Sequence, residues 1–280
     1  MAECIVSAEK ENDMAEELKN ETTLNNEENG KKPVVKRPRR KRSNELRPME
    51  YLFMQVYDTN SNTVLGYDAA LVINDKKLGT LTYDRIASVA GRSQLASRVG
   101  KWQIEEVCEL ICRQNSYGKH IHRIFITLTA KYLTRADFYT EFTKILAKYE
   151  IPHKRFGIQI NEAELVAGSD QLFENIRLLR EGGAKICITD FGSESTSLRK
   201  LATMQVDYVK LNRDFTRDVA TSDRSAGITE GIIELCEKLN VRVIADGIDT
   251  KEQLGEMKRM RCYLIEGNYF STPERESAAF

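Results

Sequence analysis

The stretch ICITDFGSESTSL, Ile186–Leu198, decides how the rest of the chain is read. A short apolar run meets one carboxylate, Asp190, and then Phe191, Gly192 and a run of small polar residues. An acid followed by a glycine turn at a strand end has three readings: a kinase-like magnesium loop, the rim of a metal-bearing barrel, or an ordinary strand end. The kinase reading requires a glycine-rich loop, a strand lysine and a catalytic-loop motif upstream, and the sequence holds none of them. The surrounding pattern separates the other two.

Two apolar runs, 51–57 and 63–73, flank DTNSN at 58–62, residues that favour turns. They predict an antiparallel hairpin. Helices are expected near 83–91 and 95–115, the second from Val99, Trp102, Ile104, Val107, Cys108 and Ile111 at helical spacing. Strands at 123–129, 155–160, 184–189, 206–211, 241–246 and 262–267 then alternate with helices at 135–149, 170–182, 196–204, 225–239 and 251–259. Strands joined by helices pair in parallel, and eight of them in about 230 residues suit a closed ring better than an open sheet. The opening hairpin forces one strand to run against the rest. The expected fold is therefore α/β: a (β/α)8 TIM-like barrel over residues 48–280 whose first strand is antiparallel.

Residues 1–47 are expected to be a disordered tail. Nine Asp/Glu and two Lys lie in residues 1–30, and eight Lys/Arg crowd KKPVVKRPRRKR, Lys31–Arg42. With few aromatics and no apolar period, this segment buries too little surface to offset the entropy of ordering it. Its basic block reads either as a solvated tail or as an electrostatic contact with nucleic acid, an anionic membrane or an acidic partner. The formal net charge of zero makes no claim on nucleic acid for the whole molecule. No apolar run is long enough to span a bilayer, and MAECIVSAEKEND lacks the basic start of a signal peptide. The six cysteines fall mostly inside apolar elements, which fits a reducing, cytoplasmic setting. Cys108 and Cys112 share a helical face without a second Cys/His pair, so they read as core thiols rather than half a zinc site.

In such a barrel the chemistry gathers where the strands end. The polar residues there are Asp68, Thr127, Thr129, Gln159, Glu162, Thr189, Asp190, Lys210, Asn212, Asp246, Asp249 and Glu266. Acids and a lysine recurring round a ring suggest a site for metal and phosphate. Taken singly, Lys210 is equally a strand-end lysine in water, and Asp246 and Asp249 are loop acids before a helix N-terminus.

Seven ordered segments are similar to the EAL domain family, which hydrolyses cyclic di-GMP: GYDAALV (66–72), ITLT (126–129), QINE (159–162), TDFGSESTSL (189–198), VDYVKLN (206–212), IADGID (244–249) and EGNYFSTP (266–273). The resemblance covers about residues 51–273 and implies a barrel with a reversed first strand. It also implies hydrolysis assisted by two divalent ions that activate water and hold the phosphate.

The sequence departs from that pattern where the metals would bind. The family's Glu, Asn, Glu, Asp, Asp and Glu ligands correspond here to Asp68, Thr127, Gln159, Thr189, Asp190 and Asp246. Five anions become three. Asp68 and Asp246 are each one methylene short, a retreat of roughly 1.5 Å, whereas metal–ligand distances tolerate about 0.2 Å. Val72 replaces a phosphate-contacting arginine, Met54 a ligand-facing glutamine, Glu266 another glutamine and Glu194 a loop glycine. Lys210 and Glu162 are retained; Glu162 in the family braces the loop that follows the fifth strand, 184–189 here.

The expectation is a degenerate EAL barrel acting as a non-catalytic regulatory or protein-interaction module in cyclic di-GMP-type bacterial signalling, with no cofactor. Its partner would be another signalling or regulatory protein, and the resemblance adds a homodimer. Two alternatives stay open: a cyclic di-GMP receptor without hydrolysis, and a weak phosphodiesterase. The latter would carry Mg2+ or Mn2+ on Asp68, Asp190 and Asp246, with Lys210 and Glu162 at the catalytic positions.

Overall fold

The computed structural model describes residues 49–75, 79–83, 95–193 and 205–280. The expected tail 1–47, the helices expected at 83–91 and 196–204, and Glu194 lie outside the described residues, wholly or in all but one position.

The chain opens with β1 (Met49–Asp58) and β2 (Thr63–Asp75), paired antiparallel from Met49↔Ile73 to Asp58↔Thr63. Asp58 makes the turn, its carboxylate accepting from the N–H groups of Asn60 and Ser61. Asn62 completes it at φ 59, a left-handed conformation that asparagine tolerates. β3 (Gly79–Thr82) folds back on Val72–Asp75, a short addition outside the ring that the sequence did not announce.

Six parallel strands follow: β4 (Ile124–Thr127), β5 (Phe156–Asn161), β6 (Lys185–Phe191), β7 (Tyr208–Leu211), β8 (Arg242–Ala245) and β9 (Leu264–Ile265). They run in the order β9-β8-β7-β6-β5-β4-β2, and β1 closes the circle by pairing antiparallel with both β9 and β2. The expected eight-stranded barrel with a reversed first strand is the observed one. Its described outer helices include α1 (Leu95–Ser116), α3 (Phe138–Tyr149), α5 (Asp170–Glu181), α7 (Asp223–Lys238) and α8 (Lys251–Arg259). The short helices α2 (Ala130–Leu133), α4 (Glu162–Val166), α6 (Arg213–Arg217) and α9 (Glu276–Ala279) were not anticipated. Side-chain caps set three of these one-turn helices: Thr129, Asn161 and Asn212 accept N–H bonds from Tyr132, Ala163 and Asp214.

The core has two parts. The larger lies between the strands and the helices. The smaller, Val56, Phe125, Cys187, Tyr208, Ile244 and Leu264, fills the ring itself. Phe125 on β4 and Tyr208 on β7 do not sit on neighbouring strands, yet their rings meet edge-on at 5.6 Å. Arg123 lies beneath them and donates to the Tyr208 hydroxyl at 3.2 Å. Gly157 on β5 leaves the room that Phe125 occupies: a Cβ there would come within 2.2 Å of the Phe125 ring. Gly157→Ala is therefore expected to cost about 1–3 kcal/mol by overpacking, read as a lower midpoint in urea unfolding. An unchanged midpoint would mean that the ring interior is looser than described. Burial also accounts for the thiols: Cys108, fully enclosed, is pushed up to about 12.

Candidate functional site

The parallel strands end at one face of the ring, and four of the expected site residues converge there as two ion-paired groups. Lys210 is next to last on β7, and β2 lies four strands away round the ring of eight. The lysine stem spans that mouth. Its ammonium donates to Asp68 on β2 and reaches Glu266 just past β9, with Nζ–Oε2 at 2.8 Å. The side chains of Lys210, Glu266 and Asp68 are only 7%, 6% and 14% exposed. Lys210 is thus not a strand-end lysine in water; that reading is corrected. Burial pushes its ammonium down, but Asp68, Glu266 and Asp246 raise it by more, leaving it well above the ordinary lysine value. Burial also holds the Glu266 carboxyl well above the usual carboxylate range, against the pull of Lys210.

Asp246, just past β8, forms the second group. Arg213, which opens α6, donates to both of its oxygens, at 3.0 and 3.1 Å. Those hydrogen bonds raise the Arg213 guanidinium above its ordinary value. Thr216 on the same short helix donates to the Asp246 carbonyl at 2.5 Å. Gln253 ties the loop down further, accepting from the N–H groups of Asp249 and Thr250 and donating to the carbonyls of Thr216 and Arg217. Sequence reasoning missed Arg213 altogether. The available signal was a cation immediately after a strand whose neighbour ends on an acid.

Asp190 sits at φ 54 and Gly192 at φ 90, so the chain reverses sharply at the end of β6. Asn161 donates to the Asp190 carboxylate at 2.7 Å. Glu162, 1% exposed, accepts from the Gly192 N–H at 2.9 Å. A Cβ on Gly192 would fall 2.2 Å from the Phe215 ring, so this position takes only glycine.

Thr127 donates to Gln159 at 2.9 Å. Gln159 is 2% exposed, and its Nε2 has no hydrogen-bond partner among the described residues. Thr189 is buried, as are Val72 and Met54, and Met54 pairs in register with Asp68. Asp249 accepts from the Asn268 N–H.

This donor set does not fit a pair of divalent ions. Of the three retained acids, Asp68 faces the ammonium of Lys210, Asp246 is clasped by a guanidinium, and Asp190 turns to the amide of Asn161. Gln159 and Thr127 bring no charge and bond to each other. No group of three His, Cys, Asp or Glu side chains among the described residues is arranged to hold a metal ion. No described helix is long and apolar enough to cross a membrane.

Several known proteins are similar to this chain in sequence or in fold. The oxygen sensor protein DosP of Escherichia coli is 24% identical over 208 residues, covering 74% of this chain and 26% of DosP. The cyclic di-GMP phosphodiesterase NbdA of Pseudomonas aeruginosa is 28% identical over 195 residues, covering 70% of this chain and 25% of NbdA. The chain spans about a quarter of the length of these curated relatives. Among solved structures, the PaMucR phosphodiesterase in complex with cyclic di-GMP superposes with a TM-score of 0.76 at 20% identity, over 83% of this chain and 94% of that one. The EAL domain protein of Listeria monocytogenes superposes at 0.69 with 22% identity, over 83% and 91%. These structural likenesses carry the fold. The EAL domain family description matches residues 40–273, which spans every strand of the ring and both ion-paired groups at its mouth: this chain belongs to the EAL domain family.

Proposed function

We propose that this barrel is a non-catalytic regulatory or protein-interaction module in cyclic di-GMP-type bacterial signalling, acting in the cytoplasm on another signalling protein. The relatives' names supply the nucleotide: NbdA is a cyclic di-GMP phosphodiesterase, and PaMucR was solved with cyclic di-GMP. The observation that carries the reading is the state of the three retained acids, each already satisfied by a side-chain donor of this chain. Hydrolysis assisted by two metals needs those carboxylates free to hold dications, and losing even one outer partner of a metal site costs about 10–100-fold.

The test is incubation of the full chain with cyclic di-GMP and excess Mg2+ or Mn2+, followed by chromatography. No linear dinucleotide is expected above the buffer blank. Its appearance would sink the proposal and revive the phosphodiesterase reading. Calorimetry with the nucleotide in EDTA separates a silent scaffold from a receptor: heat of binding without metal would assign the mouth to ligand capture.

A further inference from the structure

We propose that Lys210, the lysine retained from the family pattern, serves here as a built-in counter-ion for the acids of the barrel mouth, locked there by Glu266, and so leaves a divalent metal no place. The inference deepens the non-catalytic reading and rests on it.

Asp68 on β2 and Glu266 in the segment after β9 come from the two strands that flank β1, and both are nearly closed off from water. Two carboxyl groups brought together in a low-dielectric site require a cation between them or must give up charge. Lys210 supplies the cation, with its Nζ in contact with both. A family-like glutamine at position 266 would bring no acid to the lysine, whereas the glutamate here places a second carboxyl 2.8 Å from its ammonium. The Glu266 that stands where the family has glutamine is thus turned inward, onto the lysine of its own barrel. Asp246, whose charge also reaches Lys210, is balanced separately by Arg213. The mouth therefore sets one ammonium and one guanidinium against its three acids, all covalently part of the chain.

Removing the ammonium while keeping the stem leaves Asp68 and Glu266 facing each other with nothing between them. That arrangement invites a hard divalent ion, whereas the wild-type mouth leaves it no place.

The experiment is a thermal melt of full-length wild type, Lys210→Met and the double variant Lys210→Met/Glu266→Gln, each in EDTA and in excess Mn2+. The wild-type melting temperature is expected to stay within about 1 °C between the two buffers. Lys210→Met is expected to melt lower than wild type in EDTA and to regain about 3–8 °C with Mn2+, the shift that binding well above Kd gives a chain of this size. The double variant should melt above Lys210→Met in EDTA and respond less to Mn2+. A wild type stabilised by Mn2+ as strongly as Lys210→Met overturns the proposal. So does a Lys210→Met chain indifferent to Mn2+. If Lys210→Met does not fold and the double variant does, charge is the cause and the proposal stands. If neither folds, the lysine acts through its packing and the proposal falls. Hydrolysis by a wild type whose melting ignores Mn2+ would sink the functional reading alone; Mn2+ stabilisation without hydrolysis would sink this one alone.

Discussion

A Gly267→Ala chain is expected to melt at least about 6 °C below wild type, a loss of roughly 3 kcal/mol or more. Gly267 has φ 151, a backbone state side chains rarely adopt, and it lies hard against the neighbouring loop. An added Cβ would fall 2.3 Å from the Ile248 carbonyl oxygen and 2.4 Å from its nitrogen, both main-chain atoms that cannot swing aside. The approach is needed because two loops are laced together there. Ile248 N–H donates to the Glu266 carbonyl, Glu266 N–H to Ala245, and Tyr269 N–H to Ile248. Alanine would push these loops apart and carry Glu266 away from Lys210. Differential scanning calorimetry reads the result, and a melting temperature within 2 °C of wild type would show that the loop yields without cost.

Asp207→Asn carries the second large effect, about 2–4 kcal/mol near neutral pH, at the opposite end of the ring. The carboxylate accepts from Lys185 Nζ at 2.7 Å, from the Ile186 N–H at 3.0 Å and from Arg180 Nε at 3.2 Å. The Asp207 carbonyl accepts from the Arg242 N–H, so one residue links the starts of β6, β7 and β8. Lys185 and Arg180 are 40% and 29% exposed, so solvent screens their share of the effect. Burial raises the Asp207 carboxyl, but Lys185, the Ile186 N–H and Arg180 together lower it by more, leaving it below its ordinary value. A lowered carboxyl stabilises the fold above its unfolded value, about 3.9, and that contribution drains away as pH falls towards the folded value. The gap between wild type and Asp207→Asn should therefore be widest near pH 7 and narrow below about pH 4. A gap constant across that range in urea titrations would refute the assignment.

The ring and its reversed strand were legible because each strand is a short apolar run ended by turn chemistry, and only one pair is joined by a turn too short for a crossover. β3 was not legible. Its four residues hold a single leucine, and it is a strand only because β2 overruns the ring to give it a partner. The one-turn helices escaped for a related reason: Thr129, Asn161 and Asn212 cap segments too short to show an apolar period. At the site, the strand-end positions could be read from motif order, but their pairing could not. Nothing in the local sequence says that β7 and β2 face each other across the mouth, so Lys210 and Asp68 appeared as separate surface charges. Arg213 belonged to no motif, and its role depends on where α6 begins relative to β8.

The closure of the ring has a consequence for biogenesis. β1 and β2 leave the ribosome before the rest of the ring, as a hairpin, but one edge of β1 stays bare until Leu264–Ile265 arrives to meet Tyr57–Asp58. During most of synthesis the nascent chain therefore presents an unpaired β1 margin, the kind of edge that recruits foreign strands. Contacts between such distant segments form late and slowly. This polypeptide should accordingly lean on chaperones while it is being translated, and truncation before residue 264 should yield inclusion bodies rather than a smaller stable product.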